Sequence, residues 1–245
     1  MLLEVDDLKK RFGGVHAVDG VSWTMAAGQT HCIIGPNGAG KSTFFQLLVG
    51  RVKPDSGTVR FNDVDITRSH PFERARLGLA VKPQTLGVFN ELTVEHNMRL
   101  CLQRIFYGSA LESQIENRLS MLGLRDKAHI LTSELAHGEK QWLGLGMAMA
   151  TEPKLLLLDE PTAGMSTEET ARTAELIRSL GQGGTAVLVV EHDMAFVRAL
   201  SVETTVFHEG RVFASGSLGA IEQNEDVRRL YLGQRGVAKL RQSRE

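Results

Sequence analysis

Short apolar runs alternate with amphipathic stretches along most of the chain, and this pattern predicts a sheet covered by helices. Strands are predicted at residues 2–8, 21–25, 30–34, 58–61, 154–158 and 185–190, and a closing hairpin at residues 204–208 and 211–214. Helices are predicted at residues 42–49, 140–150 and 194–200, and from an N-cap at Ser166, with Glu169 completing a capping box, to about residue 180. Because strands alternate with helices, we expect an α/β fold with a mostly parallel sheet.

One stretch departs from this alternation. Residues 86–151 carry helical periodicity, clearest at 94–104 and 110–122, and few strand signals. Strand patterns lie on both sides of this stretch, so we expect a helical subdomain inserted into one domain. The predicted division is a single domain over residues 1–233, with its core at 1–85 and 152–233 and its helical subdomain at 86–151. Residues 234–245 are basic without an apolar period, and we expect a flexible tail there.

Composition excludes several classes of partner. The 28 basic residues balance the 29 acidic ones, so no overall positive field would attract nucleic acid or an anionic membrane. No apolar run approaches the roughly 18 residues that a membrane-spanning helix needs, and the first residues lack the features of a signal peptide. Cys32 and Cys101 lie far apart in the sequence, and we expect two reduced, buried thiols.

A glycine-rich segment after the predicted strand at residues 30–34 fits the pattern G-x-x-x-x-G-K-[ST] in full. It consists of Gly35, Pro36, Asn37, Gly38, Ala39, Gly40, Lys41 and Ser42, followed by Thr43. Its glycines let successive backbone N–H groups turn toward phosphate oxygens, and the following helix directs its positive end to the same place. Lys41 adds a cation for the β- and γ-phosphates, and the Ser42 hydroxyl can bind Mg²⁺. The segment predicts a site for ATP with Mg²⁺.

Polar residues follow three predicted strands, the two at residues 154–158 and 185–190 and a further short one at residues 79–81. Asp159 and Glu160 come after four leucines, at the carboxyl end of a buried strand, where ligands of α/β sheets bind. Asp159 suits a Mg²⁺ contact, and Glu160 suits a general base for the attacking water. Gln84 could reach the metal or the water, and His192 the γ-phosphate. Taken alone, each of these last two residues is better explained as a surface residue or a satisfied core residue, and only the order of the motifs favours a functional role.

The order of these motifs along the chain resembles that of the ATP-binding cassette (ABC) family, and the resemblance covers nearly the whole sequence. It implies a P-loop NTPase core with a mostly parallel sheet, an antiparallel β part and an inserted helical lobe. It also implies ATP hydrolysis coupled to membrane transport, with Gln84, Glu160 and His192 as catalytic residues. Gln84 joins Ser42 and Asp159 as an implied magnesium ligand.

The resemblance further implies a head-to-tail dimer in which a signature segment of one cassette contacts the ATP bound by the other. That segment is Leu135, Ala136, His137, Gly138 and Glu139, where the family usually has Leu-Ser-Gly-Gly-Gln. Phe12 is implied to stack on adenine, with Val18 beside the nucleotide. The alternative for Phe12 is a core residue at a strand end. Gly164, Met165 and Ser166 take the place of the family's dimer-contact loop, without its usual Asp.

Within the family, three stretches resemble importers of branched-chain amino acids and amides: residues 137–143, 162–166 and 190–198. Lys140-Gln141-Trp142 and Ala163-Gly164-Met165 are most similar to the urea-uptake branch, whereas Val81-Lys82-Pro83-Gln84 departs from the usual Arg-x-Phe-Gln. The implied partners are transmembrane permease subunits, a second cassette, identical or different, and an extracellular or periplasmic solute-binding protein. The implied location is cytoplasmic, on the inner face of the cell membrane.

Three other functions fit the motifs less well than the importer does. A soluble cassette ATPase that acts on DNA or ribosomes would carry long coiled-coil insertions or two cassettes, and the stretch between Ser42 and Asp159 has room only for the helical lobe. We therefore expect no nucleic-acid partner. A binding module without activity would not need Lys41, Asp159, Glu160 and His192 together. A phosphate-loop kinase would need neither the signature segment nor His192.

Overall fold

The computed structural model describes residues 1–84 and 87–230. The basic tail predicted at residues 234–245 lies outside the described residues. The strands are β1 (Leu3–Phe12), β2 (Val15–Met25), β3 (Thr30–Ile34), β4 (Ser56–Phe61), β5 (Val64–Asp65), β6 (Leu79–Lys82), β7 (Leu155–Asp159), β8 (Ala186–Val190), β9 (Glu203–His208) and β10 (Arg211–Gly216). The α-helices are α1 (Lys41–Val49), α2 (Pro71–Arg76), α3 (Val94–Leu102), α4 (Gly108–Leu122), α5 (His137–Met149), α6 (Thr167–Gln182), α7 (Met194–Leu200) and α8 (Leu218–Gln223).

Two sheets organise the fold. The larger has the strand order β10-β9-β3-β8-β7-β6, in which β3, β6, β7, β8 and β9 run parallel and β10 pairs antiparallel with β9. The smaller is antiparallel, with the order β2-β1-β4-β5. Helices follow most of the parallel strands, which confirms the predicted α/β class and the predicted closing hairpin. Such a parallel sheet gathers the carboxyl ends of its strands along one edge.

The parallel sheet is buried on both faces, which explains the continuous apolar runs in its central strands. Every residue of β8 is buried, as are the four leucines of β7. One face packs with α1 against the antiparallel sheet in a cluster that contains Phe44, Phe61 and Phe207. The opposite face packs against α6 and α7. A central strand held in this way leaves only its ends open to a ligand.

Helices α3, α4 and α5 follow one another and share a hydrophobic cluster of their own, built around Val94, Leu122, Trp142 and Leu143. The helices predicted at residues 94–104 and 110–122 correspond to α3 and α4. The prediction for α5 was wrong at its start, because the helix begins at His137 and not at residue 140. Gly138 in the first turn obscured the helical pattern, since glycine is a poor helix former. No helix in the described ranges is both long and apolar enough to cross a membrane.

The first two strands extend further than predicted, and they form a hairpin. Strand β2 begins at Val15, and not at residue 21, and it pairs with β1 up to the contact of Phe12 with Val15. Gly13, with φ +56°, makes the tight turn between the two strands. The extension lifts Phe12 to the tip of the hairpin and away from the core.

Candidate nucleotide site

The phosphate loop (residues 35–43) connects β3 to α1 and presses against two neighbouring strands. A Cβ atom on Gly40, whose φ is +98°, would lie 2.2 Å from the carbonyl oxygen of Ala17 in β2. A Cβ atom on Gly35 would lie 2.3 Å from the carbonyl oxygen of Phe207 in β9. Only glycine fits at either position. No side chain caps α1, and its first turn carries no acidic residue, so its backbone N–H groups are offered to an anion.

Lys41 places its ammonium group inside the loop. Its Nζ donates hydrogen bonds to the carbonyl oxygens of Gly35, at 2.6 Å, and Pro36, at 3.0 Å. Burial lowers the pKa of Lys41, while the nearby carboxylates of Glu160 and Asp159 oppose this shift. The loop therefore holds a partly desolvated cation at the position where the sequence predicted phosphate contacts. Ser42 lies beside it with its side chain exposed, and Thr43 is half-buried in the same turn.

Asp159 ends β7 within the same electrostatic environment as Lys41. Burial raises the pKa of Asp159, and the negative charges of Glu160 and Glu191 add to the rise. Lys41 and Lys82 act in the opposite direction. Burial and the neighbouring carboxylates thus disfavour the charged form of Asp159. A further cation bound next to Asp159 would offset both effects.

Glu160 is held between the two other predicted catalytic residues. Gln84 Nε2 donates a hydrogen bond of 2.9 Å to Glu160 Oε2, and His192 Nδ1 lies 3.3 Å from Glu160 Oε1. The backbone of Glu160 has φ +45°, which is costly for a residue with a side chain, and its N–H donates to Val190 O at 2.9 Å. The structure thus brings Gln84, Glu160 and His192 together at the carboxyl edge of the sheet.

Glu191 is a residue of this site for which no role was predicted. Its carboxylate is 1% exposed and accepts four hydrogen bonds. Thr162 supplies two of them, from Oγ1 at 2.6 Å and from N at 3.3 Å. The backbone N–H groups of His192 and Asp193 supply the others, at 2.8 and 3.2 Å. Glu191 therefore ties the loop that carries Glu160 to the loop that carries His192. Its position directly after five buried apolar residues was the one signal in the sequence.

The signature segment surrounds the start of α5, and its side chains contact their own chain. Leu135 is buried, Ala136 precedes the helix, and Glu139 Oε2 accepts a hydrogen bond of 3.1 Å from Ala136 N. Glu139 Oε1 lies 2.6 Å from Lys127 Nζ, so its charge is paired. His137 Nε2 lies 3.0 Å from the carbonyl oxygen of Ala163. The backbone of this first turn also faces its own chain at Gly138, which is buried and where a Cβ atom would lie 2.2 Å from Glu169 Oε1.

The two residues predicted beside the base differ in exposure. Phe12 is 50% exposed, with Lys10 Nζ 5.4 Å from its ring centre, so the alternative of a core residue is wrong. Val18 is 0% exposed and packs in the core below the phosphate loop. The predicted contact of Val18 with the nucleotide is therefore corrected: its side chain belongs to the core cluster that also contains Ala39 of the phosphate loop. Its neighbour Ala17 supplies the carbonyl that contacts Gly40.

Comparison with known proteins agrees with this site. The family model described as ABC transporter matches residues 18–163. The chain is 34% identical over 250 residues to the high-affinity branched-chain amino acid transport ATP-binding protein LivG of Escherichia coli (strain K12), covering 95% of this chain and 98% of LivG. It is 33% identical over 237 residues to the lipopolysaccharide export system ATP-binding protein LptB of Acidithiobacillus ferridurans, covering 95% of this chain and 97% of LptB.

Solved structures give the same result. The ADP conformation of MJ1267, an ATP-binding cassette of an ABC transporter, has a TM-score of 0.83 and 28% identity, covering 95% of this chain and 98% of MJ1267. The nucleotide-free form of an ATP-binding cassette from an ABC transporter also has a TM-score of 0.83 and 28% identity, covering 94% of this chain and 98% of that one. These matches confirm the resemblance inferred from the order of the motifs, and the chain belongs to the ABC transporter family as an ATP-binding, ATP-hydrolysing cassette.

Proposed function

We propose that this chain is the ATPase subunit of an ABC importer for a small solute, with urea and branched-chain amino acids as the leading candidates. The observation that carries the catalytic part is the position of Glu160, held by Gln84 and His192 beside Asp159 and the phosphate loop. The importer assignment is supported by the LivG and BraF relatives, whose names describe branched-chain amino acid transport. Residues 140–142 and 163–165 are the segments that favour urea.

ATP binds with its phosphates on the N-terminal turn of α1. The N–H groups of the phosphate loop and the ammonium group of Lys41 bind the phosphate oxygens, and Phe12 stacks on adenine. Ser42, Gln84 and Asp159 would hold the Mg²⁺ ion that accompanies ATP. A hydroxyl, an amide and a half-buried carboxylate suit this ion, which completes its oxygen shell with phosphate and water. When bound, Mg²⁺ supplies positive charge that offsets the charge on the phosphates.

Glu160 acts as the general base. Its carboxylate accepts a proton from a water molecule while the water oxygen bonds to the γ-phosphorus. The bond from that phosphorus to the bridging oxygen breaks, and ADP and inorganic phosphate are the products. Gln84 and His192 orient Glu160, and Glu191 keeps the two loops in register through Thr162 and the amides of His192 and Asp193. The strained backbone of Glu160 costs about 1–3 kcal/mol, which is typical of functional positions.

The chain works with other subunits. A second cassette completes each ATP site with its signature segment, and permease subunits form the pathway through the membrane. The chain itself lies at the cytoplasmic face of the membrane, and a solute-binding protein delivers the solute from the other side. The functional domain covers residues 1–233, with residues 86–151 as the helical subdomain. A groove between β6 and α5, lined by Val81, Pro83, Gly144 and Met147, lies next to Gln84 and receives a helix of the permease.

Transport by the reconstituted complex tests this proposal. The complex is copurified through its membrane subunits, and uptake of radiolabelled urea and leucine is measured together with ATP hydrolysis. Glu160→Gln should lower hydrolysis and uptake together by roughly 10²–10⁴ and leave ATP binding intact, because the amide keeps the shape but cannot take a proton. Glu152→Gln is the matched control, since Glu152 also has positive φ, at +49°, but lies exposed in the loop between α5 and β7. Hydrolysis by Glu160→Gln at the wild-type rate would exclude Glu160 as the base.

A further inference from the structure

Lys82 is a buried cation that the proposed reaction does not use. It is the last residue of β6, two positions before Gln84, and only 5% exposed. It also lines the groove between β6 and α5. Burial lowers the pKa of Lys82 to about 8, although Asp159 and Glu191 act against this shift. Burying a charged amine costs free energy unless a hydrogen-bonding partner compensates for the lost water.

The partner of Lys82 is Gln141, which leads to the signature segment. Lys82 Nζ donates a hydrogen bond to Gln141 Oε1, and Gln141 is 2% exposed in the second turn of α5. Gln141 Nε2 lies 3.3 Å from His137 Nε2. The same nitrogen of His137 lies 3.0 Å from Ala163 O, in the loop that follows Glu160. A continuous line of polar contacts therefore runs from the groove to the Ala163 loop (residues 160–166).

The chemistry of these groups fixes their orientation. An ammonium group can only donate, so Lys82 keeps the oxygen of the Gln141 amide on its own side. The amide NH₂ then faces His137. Gln141 consequently offers no acceptor to His137, and in the tautomer with its proton on Nε2, His137 donates to Ala163 O at 3.0 Å. Without Lys82, the amide could turn over, and its oxygen would compete with Ala163 for the same proton.

The Ala163 loop connects His137 to the proposed base Glu160. It begins at the proposed base Glu160 and ends at Ser166, the N-cap of α6. Gly164 packs against His137, because a Cβ atom on Gly164 would lie 3.2 Å from His137 Nε2. The turn itself is held by the hydrogen bonds of Ala163 N to Glu160 O and of Met165 N to Thr162 O. A change at His137 therefore acts on the loop that positions Glu160.

We propose that Lys82, Gln141 and His137 form a relay that connects the groove beside Gln84 to the Ala163 loop, with His137 as a positioning residue of its own chain. This relay rests on the proposed function for its purpose, which is to report a permease helix in the groove to the loop beside Glu160. Its physical coupling belongs to the isolated chain and can be measured there. Failure of the coupling would leave the proposed ATPase site untouched, and failure of transport would leave the coupling untouched.

The test is hydrogen exchange of the Ala163 and Met165 amides in a set of four proteins. These are the wild type, Lys82→Met, Gln141→Leu and the double variant. Lys82→Met should speed exchange of the two amides on the order of fivefold, the effect of losing one hydrogen bond. In the Gln141→Leu background, Lys82→Met should cause no further change, because no amide remains to turn over.

Two other results would overturn the relay. Equal acceleration by Lys82→Met in both backgrounds would mean that Lys82 acts through its charge on Asp159 and Glu191. No acceleration in either background would mean that the contacts carry no coupling. Lys140→Met is the matched control, because the Lys140 ammonium group also donates a hydrogen bond, at 2.9 Å, but its acceptor is Ser133 O and not Gln141. The double variant removes a buried donor and its acceptor together, so it keeps the measurement possible if Gln141→Leu alone is unstable.

Discussion

The phosphate loop and the signature segment both precede a helix, but they use their residues in opposite ways. In the phosphate loop, Gly35 and Gly40 are fixed by close contact with Phe207 O and Ala17 O, and no side chain caps the helix. In the signature segment, Glu139 returns to cap its own helix and His137 contacts Ala163 O. The first end is shaped so that its backbone meets a ligand, and the second is built to hold its own chain in place.

The difference explains why the two sequences tolerate change unequally. At Gly40, any side chain would collide with the backbone of β2. At Glu139, an acid in place of the usual amide keeps the hydrogen bond to Ala136 N, and Lys127 pairs with its charge. Ala136 lacks the hydroxyl that could accept from Glu139 N–H, but the other half of the capping box, from Ala136 N–H to the Glu139 carboxylate, is present. We infer that the departures at residues 136 and 139 preserve the helix start that a partner's ATP would meet.

Lys41→Ala is expected to have the largest effect, and it tests whether the phosphate loop is the segment that binds the ligand. Loss of the buried ammonium group should weaken ATP binding at least about 100-fold, since hydrogen bonds to charged groups contribute about 1.5–3 kcal/mol each. Lys140→Ala is the matched control, because Lys140 is the fourth residue of α5 and donates to Ser133 O instead of to the phosphate loop. It should leave the affinity of the isolated chain unchanged. Calorimetry measures both, and an unchanged affinity in Lys41→Ala would refute the phosphate-loop assignment.

Phe12→Ala should have an intermediate effect. Stacking of a base on an aromatic ring contributes roughly 1–3 kcal/mol, and ATP and ADP should lose affinity equally because both carry adenine. Phe72→Ala is the control, since Phe72 is also an exposed phenylalanine with a cation, that of Arg76, 5.5 Å from its ring centre. It should bind both nucleotides as the wild type does. A loss confined to ATP in Phe12→Ala would show that Phe12 does not stack on the base.

Changes at Glu139 should have the smallest effect, and they test whether this side chain of the signature segment stabilises its own helix. Glu139→Ala removes the cap and should lower the free energy of unfolding by roughly 1 kcal/mol, measured in urea. Glu139→Gln should lose less, because the amide oxygen still reaches Ala136 N. ATP hydrolysis should change by less than about threefold in Glu139→Gln. A tenfold loss of hydrolysis without loss of stability would place this side chain on the nucleotide.

Much of the fold was predictable because local patterns and tertiary structure agree. The strand at Thr30–Ile34 and the helix at Met194–Leu200 have the predicted bounds, and Ser166 caps α6 with Glu169 as expected. Helix α2 was missed, although Pro71 opens it. It is short, and its anchor is Arg74, buried with hydrogen bonds to Leu47 O and Leu48 O at the end of α1. Contacts between such distant segments leave no periodic signal in the sequence.

The site also contains some residues that were predictable from the sequence and others that were not. Gln84, Glu160 and His192 were predictable as a group because each follows a strand of one parallel sheet. Glu191 and Lys82 were not, because their importance comes from buried partners on other elements, Thr162 in the loop after β7 and Gln141 in α5. A charged residue in a buried stretch was visible in both cases. The sequence alone could not say whether it faced a ligand, an ion pair or a backbone turn.

We propose that two copies of this chain complete each other's ATP sites, with the phosphate loop of one copy facing the signature segment of the other. Light scattering of Glu160→Gln tests this directly, because the variant should bind ATP without consuming it. We predict that its mass doubles in Mg-ATP and returns to that of the monomer in ADP, since each trapped ATP joins the phosphate loop of one copy to the signature segment of the other. A variant that stays monomeric while saturated with ATP would contradict the claim.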